Sequence, residues 1–192
     1  MPNEPSTRLS PPPYSTPPGF IAHEYERSRE LPVPCASLWT WLSTPETFTR
    51  QLWPFWVEFV AGSGVNGASG FAPGVLNVHH GPLLHAAGIL TRVDTLDDPP
   101  PLTRDLHYFY GSSMLTMKLV RPILLRFGAG PAGDQACILT LRVECDVRPW
   151  IAGFWTRAQS LFWSAFFRSA LAGAKRVPVR SPTEHTHSHK ST

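Results

Sequence analysis

The alternation of apolar and polar positions predicts strands through most of the chain. Between Leu139 and Asp146 the two kinds of residue alternate without interruption. A period of two with one apolar and one polar face is typical of an antiparallel sheet that has one wetted face. Weaker strand patterns, one of them folding back at residues 80–82, occupy residues 20–31, 55–62, 74–96 and 102–121.

Two short helices are predicted directly after the first of these strands, within residues 35–53. Pro45 suits the first position of the second helix, and Ser43 or Thr44 precedes it as a candidate cap. Residues 62–70 are then predicted to form a glycine-rich loop. Because the helices do not alternate with the strands, the element order favours an α+β fold over a parallel α/β fold.

A long helix with an unusually wide apolar surface is predicted over residues 153–173. At 100° per residue its polar stripe is narrow and contains Arg157, Ser164, Arg168 and Lys175. The opposite side carries Trp155, Gln159, Phe162 and Phe166.

Three interpretations fit this helix: it fills a core, lies on a membrane, or forms the wall of a cavity. An interfacial helix has a broad basic face, which the narrow stripe does not provide, so burial is favoured. Flanking residues such as Trp163 and Phe167 fit either a cavity wall or a dimer contact.

Composition separates one domain from two tails. The chain has 192 residues, of which 42% are hydrophobic and 21 are prolines. The Pro/Ser-rich residues 1–18 and the polar residues 177–192 are predicted to be disordered. Residues 19–176 are long enough for a single domain with its own core.

Charge and cysteine content exclude several classes of protein. The net charge is only +3, and the basic residues show no dense stripe of the kind that binds nucleic acid. No uncharged apolar run is long enough to predict an integral membrane segment. Three cysteines without a CxxC pair and without a signal peptide predict free thiols and a cytoplasmic protein.

Three stretches resemble one superfamily. They are "RELPVPCASLWTWLSTPETFTRQLWP", "ILTRVDTLDDPPPLTRDLHY" and the aromatic C-terminal helix. Together they resemble the START-like (SRPBCC) helix-grip superfamily, which includes polyketide cyclase/dehydrase-like proteins. The resemblance implies a curved antiparallel sheet of about six to seven strands around a long C-terminal helix, with two short helices after the first strand. It also implies a cavity between sheet and helix, but no universal catalytic motif.

The candidate ligand-binding residues lie on that helix and on one strand. Trp155, Gln159, Phe162 and Phe166 are candidates for the cavity wall, with the Gln159 amide orienting a ligand. In the strand after residue 101 the alternation places Arg104, Tyr108 and Tyr110 on one face. The pattern does not decide whether that face points inward.

Other candidate chemistry is weaker. The histidines at positions 79, 80 and 85 surround a predicted turn, and solvent exposure is the favoured interpretation. No metal or other cofactor is predicted, although a single histidine suits acid/base chemistry near neutral pH.

The leading hypothesis is binding of a small hydrophobic, aromatic or lipid-like molecule. The alternative is a cyclase/aromatase-type enzyme in which Tyr108, Tyr110, Arg104 or a histidine polarises a carbonyl group. A structural module with a filled interior is the third possibility. The sequence leaves the oligomeric state open.

Overall fold

A computed structural model describes residues 9–50, 55–60, 70–81, 84–113 and 118–178 of the chain. The described residues form seven strands: β1 (Ile21–Leu31), β2 (Trp56–Val60), β3 (Leu76–Gly81), β4 (Leu84–Val93), β5 (Leu102–Ser113), β6 (Val120–Pro131) and β7 (Cys137–Val147). They form one antiparallel sheet in the order β1-β7-β6-β5-β4-β3-β2. Strands β1 and β2 are therefore the two edges.

The described part of the chain also contains three α-helices: α1 (Cys35–Ser43), α2 (Pro45–Arg50) and α3 (Ala152–Ala174), the last preceded by a 3-10 turn at Pro149–Ile151. The predicted α+β fold, with two short helices after the first strand and one long C-terminal helix, is confirmed. Among the described residues, no helix combines the length and hydropathy needed to cross a bilayer.

The inner face of the sheet forms the core with α1 and α3. In β7 the side chains of Cys137, Leu139 and Leu141 are fully buried, whereas Thr140 and Arg142 on the other face are partly exposed. The alternation in the sequence therefore correctly separates the inner face from the outer face of this strand.

Helix α3 is buried on a narrower front than its wide apolar surface predicts, since Phe154 and Leu161 are 61% and 76% exposed. Arg157, Arg168 and Lys175 are exposed as predicted. Trp163 and Phe167, which the sequence left open as dimer contacts, are instead buried within the chain. The sheet packs on one side of α3, where Phe127 of β6 meets Trp163, and α1 packs on another side.

The contact between α1 and α3 is close because α3 has a glycine there. A Cβ atom at Gly173 would overlap the indole ring of Trp41. The same indole lies 6.0 Å from the ring of Phe166, measured between centroids. Gly173 thus allows Trp41 to fill the space between the two helices.

A β-bulge in β5 changes which side chains face inward. Tyr108 pairs with Gly88, but Tyr110 pairs with Ala87, so Phe109 is an extra residue in the strand. Tyr108 therefore faces inward with Arg104, whereas Tyr110 is 58% exposed. The expectation that Tyr110 shares a face with Arg104 and Tyr108 is wrong for this reason.

Residues 9–18 form no helix or strand, but they make specific contacts with the outer face of the sheet. The backbone N–H of Leu9 donates to the Thr91 carbonyl over 2.9 Å, and the Thr16 hydroxyl donates to Asp146 over 3.1 Å. Composition predicts a disordered tail for this segment, and contacts of this kind cannot be read from composition. Residues 1–8, most of the glycine-rich loop and the tail beyond residue 178 lie outside the described residues.

Candidate ligand-binding cavity

A cavity of about 340 Å³ lies between the inner face of the sheet and α3. That volume is within the range of small-molecule sites in proteins. Its walls are mostly aromatic and aliphatic, with contributions from β2, β3, β5, β6, β7, α2 and α3. An apolar interior of this size is suited to holding an uncharged hydrophobic molecule, because such a molecule gains by leaving water.

Two phenylalanines meet at the side of the cavity next to edge strand β2. The rings of Phe55 and Phe162 are 5.0 Å apart between centroids and nearly perpendicular. Phe162 is 38% exposed, so one side of its ring contacts solvent and the other lines the cavity. Phe162 therefore lies where the wall of the cavity meets solvent.

One polar pair is built into the apolar wall. The Tyr108 hydroxyl and the Nδ1 atom of His79 lie within hydrogen-bonding distance, at 3.2 Å, and the two rings are perpendicular. Tyr108 is on β5 and His79 is on β3, so the contact crosses the intervening strand β4. Both residues line the cavity.

Both members of this pair are neutral near pH 7. Burial lowers the pKa of His79 to about 4, and the positive charge of Arg104 acts in the same direction. Burial raises the pKa of the Tyr108 phenol. The pair therefore offers a hydroxyl and an uncharged imidazole to a ligand.

Gln159 is the polar residue that α3 contributes to the cavity. Its Oε1 atom accepts a hydrogen bond from the indole N–H of Trp163, one turn further along the helix. The oxygen is thus already engaged within the protein, and the amide NH₂ is the group of Gln159 that suits a ligand oxygen.

Five of the seven residues proposed from the sequence line this cavity: Trp155, Gln159, Phe162, Phe166 and Tyr108. Tyr110 does not, because the bulge turns it to the outer face. Arg104 also lies outside it. The structure therefore brings the aromatic helix and one of the two tyrosines together.

Arg104 is enclosed by the protein itself. Its guanidinium lies 3.8 Å from the ring centroid of Phe71, with Phe48 and Phe127 at 5.2 and 5.1 Å. It donates a hydrogen bond of 2.5 Å to the carbonyl of Leu42, in the last turn of α1. Burial lowers its pKa to about 9. This position suits a structural cation rather than a group that holds a ligand carboxylate.

The sequence pattern does not single out His79 for the site. In β3 the inward-facing positions are the buried Asn77 and, two residues further on, the cavity-lining His79, whereas the apolar Leu76 and Val78 lie on the other face. The pattern of β3 thus points to the wrong face, and no local signal separates His79 from His80. Among the described residues, no group of three or more His, Cys, Asp or Glu side chains is placed to hold a metal ion.

Solved structures with the same architecture identify the fold. The aromatase/cyclase ZhuI from Streptomyces sp. R1128 superposes with a TM-score of 0.61 over 81% of this chain and 95% of its own, at 13% identity. A START superfamily protein from Mycobacterium smegmatis gives 0.56 over 81% and 99%, at 10% identity. The chain has the START-like helix-grip fold. Norcoclaurine synthase from Thalictrum flavum, solved with dopamine and hydroxybenzaldehyde, gives 0.55 over 85% and 91%, at 15% identity.

These similarities establish the helix-grip fold and leave the function to be argued from the site, because one fold supports many activities. No protein-family model and no curated protein sequence matches the chain. The helix-grip fold predicted from the sequence is confirmed, and so is the C-terminal position of its long helix.

Proposed function

We propose that this protein binds a small, uncharged hydrophobic or aromatic molecule between its sheet and α3. The observation that carries the proposal is the 340 Å³ cavity with a predominantly aromatic wall. Burial of apolar ligand surface against such a wall contributes about 25 cal/mol per Å² before the costs of association are subtracted.

The few polar groups of the wall narrow the class of ligand. The Gln159 amide and the Tyr108 hydroxyl are suited to donate to a ligand oxygen, and the neutral His79 adds no positive charge. Among the described residues that line the cavity there is no arginine or lysine to pair with a carboxylate or phosphate, and the nearby Arg104 is enclosed by phenylalanine rings. The wall therefore favours an aromatic or lipid-like ligand that carries a carbonyl or hydroxyl group.

A titration with the neutral fluorescent probe N-phenyl-1-naphthylamine tests the binding function. Ala158 lines the cavity, and Ala158→Phe fills part of it, so we expect affinity to fall at least about tenfold. Ala165 is exposed on the same helix, and Ala165→Phe is the matched control that leaves affinity unchanged. Equal binding by wild type and a folded Ala158→Phe variant contradicts the proposal.

A cyclase/aromatase-type enzyme is the second candidate, and the His79–Tyr108 pair favours it. In the tautomer whose Nδ1–H donates to Tyr108, the Nε2 atom of His79 accepts a proton from a carbon next to a ligand carbonyl. The Tyr108 hydroxyl then donates to the carbonyl oxygen as negative charge develops there. A pKa of about 4 makes His79 a weak base, however, and this is why binding is the preferred function.

Deuterium exchange at the carbon next to the carbonyl of 2-tetralone, followed by NMR in D₂O, tests this second candidate. An enzyme of this type accelerates the exchange over buffer, and both His79→Leu and Tyr108→Phe abolish the acceleration. If 2-tetralone binds but exchanges deuterium no faster than in buffer, the result contradicts the enzyme and supports the binding function alone.

A further inference from the structure

Two cysteines lie side by side where α1 begins. The Sγ atoms of Cys35 and Cys137 are 2.7 Å apart, although 102 residues separate them in the chain. A disulfide bond measures about 2.05 Å, and all three cysteines are free thiols. A small movement of the two sulfur atoms therefore suffices to join them.

The two thiols differ in accessibility. Cys137 is the first residue of β7 and is fully buried, paired with Leu31 on one side and Pro131 on the other. Cys35 is the first residue of α1 and is partly exposed. A small oxidant therefore reaches Cys35 first, and Cys137 is positioned behind it.

Their hydrogen bond adds a chemical asymmetry. The Cys137 thiol donates to the Cys35 sulfur, which lowers the pKa of Cys35 and raises that of Cys137. The N-terminus of α1 also favours negative charge at its first residue. The thiolate consequently forms at Cys35, on the accessible side of the pair.

We propose that Cys35 and Cys137 form a modification site that a low-molecular-weight disulfide, such as glutathione disulfide, oxidises to an intramolecular disulfide. This site is separate from the cavity, and the inference does not depend on the proposed function.

The oxidation proceeds in two exchange steps. The Cys35 thiolate attacks one sulfur of glutathione disulfide, an S–S bond forms between Cys35 and glutathione, and the other glutathione leaves as a thiolate that takes up a proton. Cys137 then loses its proton, and its sulfur attacks Cys35 and releases the second glutathione. Two protein thiols are oxidised by two electrons, and glutathione disulfide is reduced to two glutathione molecules.

The disulfide ties α1 to the sheet. Because it closes a long segment of chain, it restricts the unfolded state more than a local bridge does. The Trp41 side chain of α1 packs against Phe166, which lines the cavity. Oxidation therefore stabilises the packing of α1 behind the cavity wall.

Thiol counting with and without glutathione disulfide tests the proposal on the full chain. The protein is incubated, treated with N-ethylmaleimide after denaturation, and weighed by intact-mass spectrometry. We expect three alkylated cysteines in the reduced protein and one in the oxidised protein, with the remaining label on Cys145. The melting temperature of the oxidised protein rises by about 5–10 °C.

The variants separate this pair from other thiol chemistry. Cys145→Ala retains the loss of two labels and the rise in melting temperature, whereas Cys35→Ser, at a partly exposed position, abolishes both. A persistent glutathione adduct on Cys35, or a disulfide that includes Cys145, overturns the proposal. Unchanged labelling of all three thiols overturns it as well.

Discussion

The hydroxyl of Tyr108 reaches the imidazole of His79 across strand β4, over a distance of 3.2 Å. Beneath the pair, β4 presents Gly88 opposite Tyr108 and Ala86 opposite His79. A Cβ atom at Gly88 would lie 2.8 Å from the backbone oxygen of His107, so no side chain fits there without a shift. The polar pair in the cavity therefore depends on two small residues of the strand between its members.

The low pKa of His79 predicts a loss of stability in acid. Its pKa is about 4 in the folded protein and 6.5 when unperturbed. As pH falls below about 6.5, the unfolded chain binds a proton that the folded protein binds only near pH 4. The free energy of unfolding therefore decreases over this window, by up to about 3 kcal/mol, and the contribution is constant above it.

Urea denaturation of wild type and His79→Leu at several pH values between 7 and 4.5 measures this effect. The stability of the variant should fall less steeply with acid than that of wild type. Parallel curves for the two proteins over the whole window would falsify the assignment of a depressed pKa to His79.

Tyr108→Phe is expected to reduce the preference of the cavity for a ligand hydroxyl. Wild type should bind 2-naphthol about 3–10 times more tightly than naphthalene, in line with one net hydrogen bond. The variant keeps the ring and the Gln159 amide and should show a smaller preference than wild type, as measured by competition with N-phenyl-1-naphthylamine. Tyr110→Phe, on the outer face, is the matched control, and a loss of preference there contradicts the bulge-based assignment.

The elements with strong local periodicity were predictable, and the contacts between distant residues were not. Strand β7 and helix α3 have patterns that reflect one buried side each. Strand β6 was not singled out as a separate strand, since Pro122, Gly128 and Gly130 interrupt its pattern. A proline or glycine within a strand usually argues against it, yet here the neighbouring strands β5 and β7 hold β6 in place.

In the candidate site, too, the features that follow from local periodicity were predictable and those that depend on distant residues were not. The aromatic residues of α3 that line the cavity follow from the helical wheel. The extra residue Phe109 in β5, which moves Tyr110 outward, has no signature in a single sequence. The approach of His79 to Tyr108 depends on the order of three strands, which local pattern does not contain.

Arg104 is expected to contribute to folding rather than to ligand affinity. Replacing it with alanine removes the hydrogen bond to the Leu42 carbonyl and the stacking on Phe71, and it leaves a void. We expect the free energy of unfolding to fall by about 3 kcal/mol. Thermal or urea denaturation measures the loss, and Arg168→Ala, at an exposed position of α3, should cost less than about 0.5 kcal/mol.

The affinity of the folded Arg104→Ala variant for N-phenyl-1-naphthylamine, compared with that of wild type, distinguishes a structural role from a ligand-binding role. An affinity close to that of wild type supports the structural role. A large loss of affinity with unchanged stability assigns Arg104 to the ligand instead.

Two glycines of α3 predict opposite effects of the same substitution. At Gly173 a methyl group would overlap the Trp41 indole, so Gly173→Ala should force α1 away from α3 and cost about 1–3 kcal/mol. At Gly153 the added methyl group meets no atom within 4 Å. Gly153→Ala should therefore stabilise the helix by about 0.5–1 kcal/mol, through the lower entropy of the unfolded chain. Urea denaturation of both variants measures the difference, and a stabilising Gly173→Ala contradicts the close packing of α1 on α3.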